Sequence, residues 1–257
     1  MTQSIGFLGT GRIAEPMIRS LSRRFPNFTI LVSTRSHEIS SRVQTLNNVS
    51  ASPNQYILEQ CEIVFICLLA DVARKVLPQL MFESAQKIIS VMADISLEEI
   101  SSLIAPASNP CVTIPLPFIE QGGCPLPVYP ESPTLETLFG DENDVITLSS
   151  ENAIPPHFAA TAILSSSMKQ LDVVAHWLGE HAGSQRDGER YVANLVSGYL
   201  GAMPKDGADR FKQAMQDLST EGGLNNQLRQ HITESGHYET LRNGLDELHR
   251  RLKVATG

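Results

Sequence analysis

The chain has 257 residues, of which 42% are hydrophobic, enough to bury a substantial core and to form two domains. Twenty Lys and Arg against 28 Asp and Glu leave a net charge of −8, which excludes a polyanion such as nucleic acid as a bulk partner. No apolar run reaches the ~18 to 20 residues of a membrane span, and the N-terminus opens on a strand rather than a signal segment, so the expected setting is the cytoplasm, with no membrane partner.

The first stretch, Ser4 to Ala14, organises the rest. The apolar run Ile5 to Leu8 leads straight into Gly9-Thr10-Gly11-Arg12-Ile13-Ala14, and the residues from Glu15 to Leu21 continue at helical spacing. Strand, tight turn and helix in that order make the glycine pattern a dinucleotide fingerprint. Gly9 permits the turn, Gly11 lets the backbone approach a pyrophosphate, and small Ala14 lets helix and strand pack closely. The free amides and positive dipole end of the helix face the phosphates. Pro16 is tolerated because it falls in the first turn or so.

Phe28 to Val32 predicts a second strand, followed by Ser33-Thr34-Arg35-Ser36 and a polar helix to about Asn47. No Asp or Glu lies between Glu15 and Glu38 to hold a ribose 2′-hydroxyl, whereas Arg35 with Ser33, Thr34 and Ser36 suits a 2′-phosphate. The expected cofactor is therefore NADPH rather than NADH. A short helix is expected over Asn54 to Glu59. The apolar run Glu62 to Leu69 is a strand buried on both faces, whose C-terminal end, Leu68 and Leu69, borders the cofactor. Next come a helix from about Val72 to Leu80, a strand over Lys87 to Met92, and a capping box at Ser96-Leu97-Glu98-Glu99. A further strand follows over Pro110 to Ile114. After a loop rich in Pro and Gly, Val128-Tyr129 is a short strand, Thr134 to Phe139 a helix and Val145 to Leu148 the last strand. The alternation predicts an α/β fold: an N-terminal Rossmann-like, doubly wound parallel sheet with its ligand crevice at the strand C-termini.

From about Glu151 the pattern is helical to the end, with breaks near Gly183, Pro204, Gly222-Gly223 and Gly236. This predicts a dinucleotide-binding domain over residues 1–150 and an all-helical dimerisation and substrate domain over 151–257. Trp177, Leu178, Val192, Leu195 and Val196 read as helix-packing core. Apolar residues on more than one helical face predict a homodimer or higher homo-oligomer. Cys61, Cys67, Cys111 and Cys124 form no C-x-x-C pair and read as core thiols, and the seven histidines show no zinc spacing, so no metal is expected.

This layout resembles the pyrroline-5-carboxylate reductase family over most of the chain. The resemblance is carried by Ile5 to Glu15, by Val32-Ser33-Thr34-Arg35-Ser36, and by Gly222-Gly223 followed by Glu234-Ser235-Gly236. It implies reduction of a small cyclic imine, or a related carbonyl compound, by NADPH or NADH, with intertwined helical domains completing the site. On the substrate side the chain departs from the family. A Lys-Pro segment is replaced by Leu69-Ala70-Asp71 and an Asn-Thr-Pro loop by Leu116-Pro117-Phe118. A Ser-Gly-Ser-Gly-Pro-Ala helix start is replaced by Ser165 to Gln170, and a Pro-Gly-Gly-Thr-Thr loop by Glu221 to Asn225. Ser165, Ser167, Lys169 and Asn225 are the candidate catalytic residues, placed to hydrogen-bond the atom that gains the proton. Lys169 also resembles the acid/base lysine of the β-hydroxyacid dehydrogenases, an alternative activity that requires a desolvated amine. The altered motifs equally suit an NADPH-binding regulator without turnover.

Overall fold

The structure, a computed structural model, describes residues 3–34 and 37–256. Among these, one sheet carries eight strands: β1 (Ser4–Leu8), β2 (Thr29–Ser33), β3 (Val49–Ser52), β4 (Ile63–Ile66), β5 (Lys87–Ser90), β6 (Cys111–Thr113), β7 (Pro125–Tyr129) and β8 (Asp144–Thr147). The intervening helices are α1 (Ala14–Arg24), α2 (His37–Val43), α3 (Asn54–Gln60), α4 (Ala70–Val76), α5 (Leu97–Leu103) and α6 (Pro133–Phe139).

The spatial order β3-β2-β1-β4-β5-β6-β7-β8 means that the chain winds outward one way from β1 and then returns to start the other way at β4. The reversal opens a crevice beyond the C-terminal ends of β1 and β4, where doubly wound folds take their ligands. The sheet is mostly parallel. The exception is the β6–β7 pair, which is antiparallel with Val112 opposite Tyr129. Pro125 and Pro127 do not prevent β7 from pairing with β8, and the strand is longer than the two residues its sequence announces.

Double winding follows from the period of the strands. Ile63 and Phe65 of β4 face one core with Met17, Ile18 and Leu21 of α1 and Phe139 of α6. Val64 and Ile66 face the other, with Ile57 of α3, Ala73 of α4 and Ile100 of α5. Phe65 stacks on Phe7 at 4.8 Å and meets Phe139 edge-on at 6.2 Å. Each such fully buried side chain stabilises the fold by about 1.5–3 kcal/mol relative to exposure. At α5 the predicted cap is in place, with the Ser96 hydroxyl accepting from the Glu99 amide at 3.1 Å.

The chain divides into two compact units, residues 1–159 with 249–257, and residues 160–248. The second holds α8 (Ile163–Ala182), α9 (Gln185–Ala202), α10 (Arg210–Asp217), α11 (Leu224–Glu234) and most of α12 (His237–Thr256), while α7 (Ile154–Thr161) ends at the division. Each expected helix break is present. In α8 and α9 a side chain at Gly188 would run into the Ala175 carbonyl, so these two helices approach closely there. Not all of the expected helical core is buried. Val192 is, but Trp177 is 58% and Leu195 56% exposed, because the unit by itself has no second layer over those faces. No helix among the described residues is long and apolar enough to cross a membrane.

Candidate active site

The tight turn after β1 works as its glycines require. Gly9 has φ +97°, in the left-handed region that favours glycine, and a side chain there would meet the Cys67 carbonyl oxygen at 2.5 Å. Gly11 differs: a Cβ on it would meet nothing within 4 Å, so its backbone faces open space. The turn is tied to the end of β2, with the Gly9 amide donating to the Ser33 hydroxyl at 2.8 Å and the Thr10 hydroxyl donating to the Ser33 carbonyl at 2.8 Å. No side chain caps the N-terminus of α1, whose capping position is Ile13. Uncapped amides at the end of a helix are an anion site. Open backbone at Gly11 and uncapped amides on α1 fit a pyrophosphate.

A cavity of about 730 Å³ lies over this turn. Gly9, Thr10, Gly11, Arg12, Ile13, Ala14, Ser33, Leu68 and Leu69, nine of the residues expected to hold the cofactor, line it together. Thr34 is exposed one residue past β2, and Arg35 and Ser36 lie outside the described residues. The wall also includes residues the sequence did not single out: Asn54 beyond β3, Asp71 and Arg74 on α4, and Val91 to Asp94 beyond β5. The signal for the last group was present, since they directly follow a strand whose C-terminal end faces the crevice. Cys67 belongs to this wall as well. It is half-buried rather than a core thiol, although its surroundings push the thiol pKa well up. Cys61, Cys111 and Cys124 are buried, and burial pushes Cys61 up to about 11.

Glu15 would oppose phosphate in the first turn of α1 if it were unpaired. Arg42 of α2 grips it at 2.7 and 3.2 Å and Arg19 adds a bond at 3.0 Å. These guanidinium groups, Arg42 foremost, hold the Glu15 carboxyl below its usual range. Arg12 is exposed at the rim and makes no ion pair among the described residues.

The four candidate catalytic residues all fall in the helical unit. Ser165, Ser167 and Lys169 share α8, Ser165 exposed and Ser167 half-buried, and Asn225 is exposed near the start of α11. The Lys169 Nζ is 2.7 Å from Asp172 Oδ2 with its side chain 75% exposed, a solvated ion pair rather than a desolvated amine. A second cavity of about 660 Å³ in this unit, lined by Tyr199, Met203, Arg210 and Lys212 among others, contains none of the four. No cluster of His, Cys, Asp and Glu among the described residues could hold a metal ion.

Residues 4–94 match the family model described as NADP oxidoreductase, coenzyme F420-dependent. Compared by sequence with curated proteins, the chain has no match. The whole fold is similar to solved pyrroline-5-carboxylate reductases. That of Streptococcus pyogenes is 17% identical, with a TM-score of 0.82 over 98% of this chain and 99% of the other. That of Plasmodium falciparum, solved with NADP bound, is 13% identical with a TM-score of 0.84 over 99% and 98%. That of Coxiella burnetii is 16% identical with a TM-score of 0.81 over the full length of both chains. At such low identity the likeness is one of fold.

Proposed function

We propose that the protein is an NADPH-dependent reductase of a small cyclic imine, of the pyrroline-5-carboxylate reductase type. The observation that carries this reading is the cavity over the β1–α1 turn, where an open glycine backbone, an uncapped helix end and the Ser33 terminus of β2 converge. The end-to-end likeness of fold to those reductases supports the substrate class. Four free thiols suit a reducing compartment such as the cytoplasm.

When bound, the nicotinamide supplies the hydride that the imine carbon accepts. The chain has less to do: hold the acceptor in reach, exclude water and hydrogen-bond the nitrogen that gains the proton. Ser165, Ser167, Lys169 and Asn225 are the groups proposed for that last task. Oxidation of NADPH with pyrroline-5-carboxylate, other cyclic imines and 3-oxoacids, run in parallel, tests the reading. Turnover of the 3-oxoacids alone would assign the protein to the hydroxyacid class, and oxidation of none of them would make it a cofactor-binding regulator.

NADPH is proposed over NADH because Arg35 follows β2 where an acid would otherwise hold the ribose. Arg35→Glu is expected to weaken NADPH binding by about 1.5–3 kcal/mol, the value of one hydrogen bond to a charged group, and to leave NADH binding less affected. Titrations of the wild type that give equal affinities for the two cofactors would refute the preference.

The helical unit is proposed to pair with a second copy. It exposes Trp177, Tyr191, Leu195, Phe211, Leu224 and Leu228, each more than half accessible, a density of large apolar groups that a monomer rarely leaves in water. Light scattering at micromolar concentration is expected to give at least the mass of two chains. A monomeric mass from active protein would rule the pairing out.

A further inference from the structure

The helix α4 is seven residues long and no side chain caps its start, so contacts from outside must set its position. Ala70 and Ala73 supply apolar ones in the core, and Arg74 supplies polar ones. The Arg74 guanidinium places Nε at 2.6 Å and Nη2 at 3.0 Å from the two carboxylate oxygens of Glu99 on α5. Its Nη1 donates to Asp71 at 3.0 Å, and Nη2 also donates to the backbone carbonyl of Asp94 at 3.3 Å. A single planar group thus joins the start of α4, the turn after β5 and the first turn of α5.

Two of those three attachments, Asp71 and Asp94, line the cofactor cavity, as does Arg74 itself. Asp94 has φ +59°, a left-handed conformation that aspartate tolerates better than most residues, and its turn also has contacts from outside. Arg74 bonds the Asp94 carbonyl, and Arg251 lies 3.6 Å from the Asp94 carboxylate. A dinucleotide held by its pyrophosphate at the β1–α1 turn and by its 2′-phosphate beyond β2 would bring its nicotinamide end toward the turns after β4 and β5, on the other side of β1.

We propose that Arg74 is a positioning residue for the nicotinamide half of the cofactor, acting by locking the β4–α4 and β5–α5 turns at a fixed separation. This rests on the cofactor reading above. Arginine is needed for its shape, because an ammonium group cannot reproduce the forked bond to Glu99 while also reaching Asp94. The pair is partly exposed and contributes little to overall stability, so its loss registers in the cavity rather than in the melting temperature.

The test compares two ligands on the full chain. NADPH fills the whole cleft, whereas 2′,5′-ADP fills only the adenosine end. Arg74→Gln, Arg74→Lys and Glu99→Gln are each expected to weaken NADPH by about two- to tenfold, the range for one or two loosened side chains at a binding surface. The 2′,5′-ADP affinity should stay unchanged. The double variant Arg74→Gln/Glu99→Gln should be no worse than Arg74→Gln alone, because Glu99 acts only through Arg74. Normal NADPH binding in Arg74→Lys, or in Glu99→Gln, would mean that Arg74 acts directly as a charge and overturns the positioning role. Equal weakening of both ligands would also overturn it, as a general structural defect. A wild type that binds neither ligand would overturn the cofactor reading and this proposal together.

Discussion

Gly9→Ala is expected to abolish useful NADPH binding while leaving a folded protein. The alanine would have to hold φ +97°, and its methyl group would fall 2.5 Å from the Cys67 oxygen and 2.8 Å from the Cys67 carbonyl carbon. Both atoms are backbone at the end of β4, so no rotamer change relieves the clash. The turn must move instead, and with it the Gly9–Ser33 bond that ties it to β2. Strain of this kind costs about 1–3 kcal/mol before any lost phosphate contact is counted. Together they imply a loss of at least about a hundredfold in affinity, roughly 2.7 kcal/mol. Gly11→Ala is the matched control. Its methyl group meets nothing in the chain, so the fold tolerates it and any weakening reports on the ligand alone. Cofactor fluorescence gives the affinities, and far-ultraviolet circular dichroism shows whether the variants are folded. Wild-type affinity in Gly9→Ala would mean that the cofactor does not sit over this turn.

The second large effect is expected in turnover. If Asn225 holds the nitrogen that gains the proton, Asn225→Ala should lower turnover by roughly 10² to 10³, as for loss of one oriented donor at a reacting centre, with cofactor affinity nearly unchanged. Lys169→Ala should be mild under imine reduction, because Lys169 is already engaged with Asp172 in solvent. Under the hydroxyacid alternative the order reverses, since the proton donor itself is removed. Steady-state kinetics on the preferred substrate separates the two. If neither variant is impaired, the acceptor is held by other groups.

The cofactor half was legible because each of its signals is local. The glycine turn, the buried run at β4 and the Ser96 cap are read within a few residues, and the structure realises each one. β3 was not foreseen. Ser50 and Ser52 break its apolar run, and it forms because β2 offers an open edge that pairs Ile30 with Val49. The reversal at β7 was equally hidden, since nothing in Pro125 to Tyr129 states which way a strand will point. Arg74 could not have been singled out from sequence, because beyond its helical neighbour Asp71 its partners, Asp94 and Glu99, come from the β5–α5 segment and reach it only by folding. In the helical unit the sequence marks where helices stop but not which apolar faces remain uncovered. Exposed Trp177 and buried Val192 share the same helical pattern.

The antiparallel β7 also decides which parts of the chain are free to vary. Because this strand runs against β6, the segment after it is carried to the end of the strands opposite the cavity. There Pro133 and Thr134 gather with Gln3, Ile63 and Lys87 at the starting ends of β1, β4 and β5. The exposed residue Glu131 therefore stands where a longer loop, an affinity handle or a fluorophore can be added without approaching the nucleotide. One reversed strand gives the molecule a side for chemistry and a side for attachment.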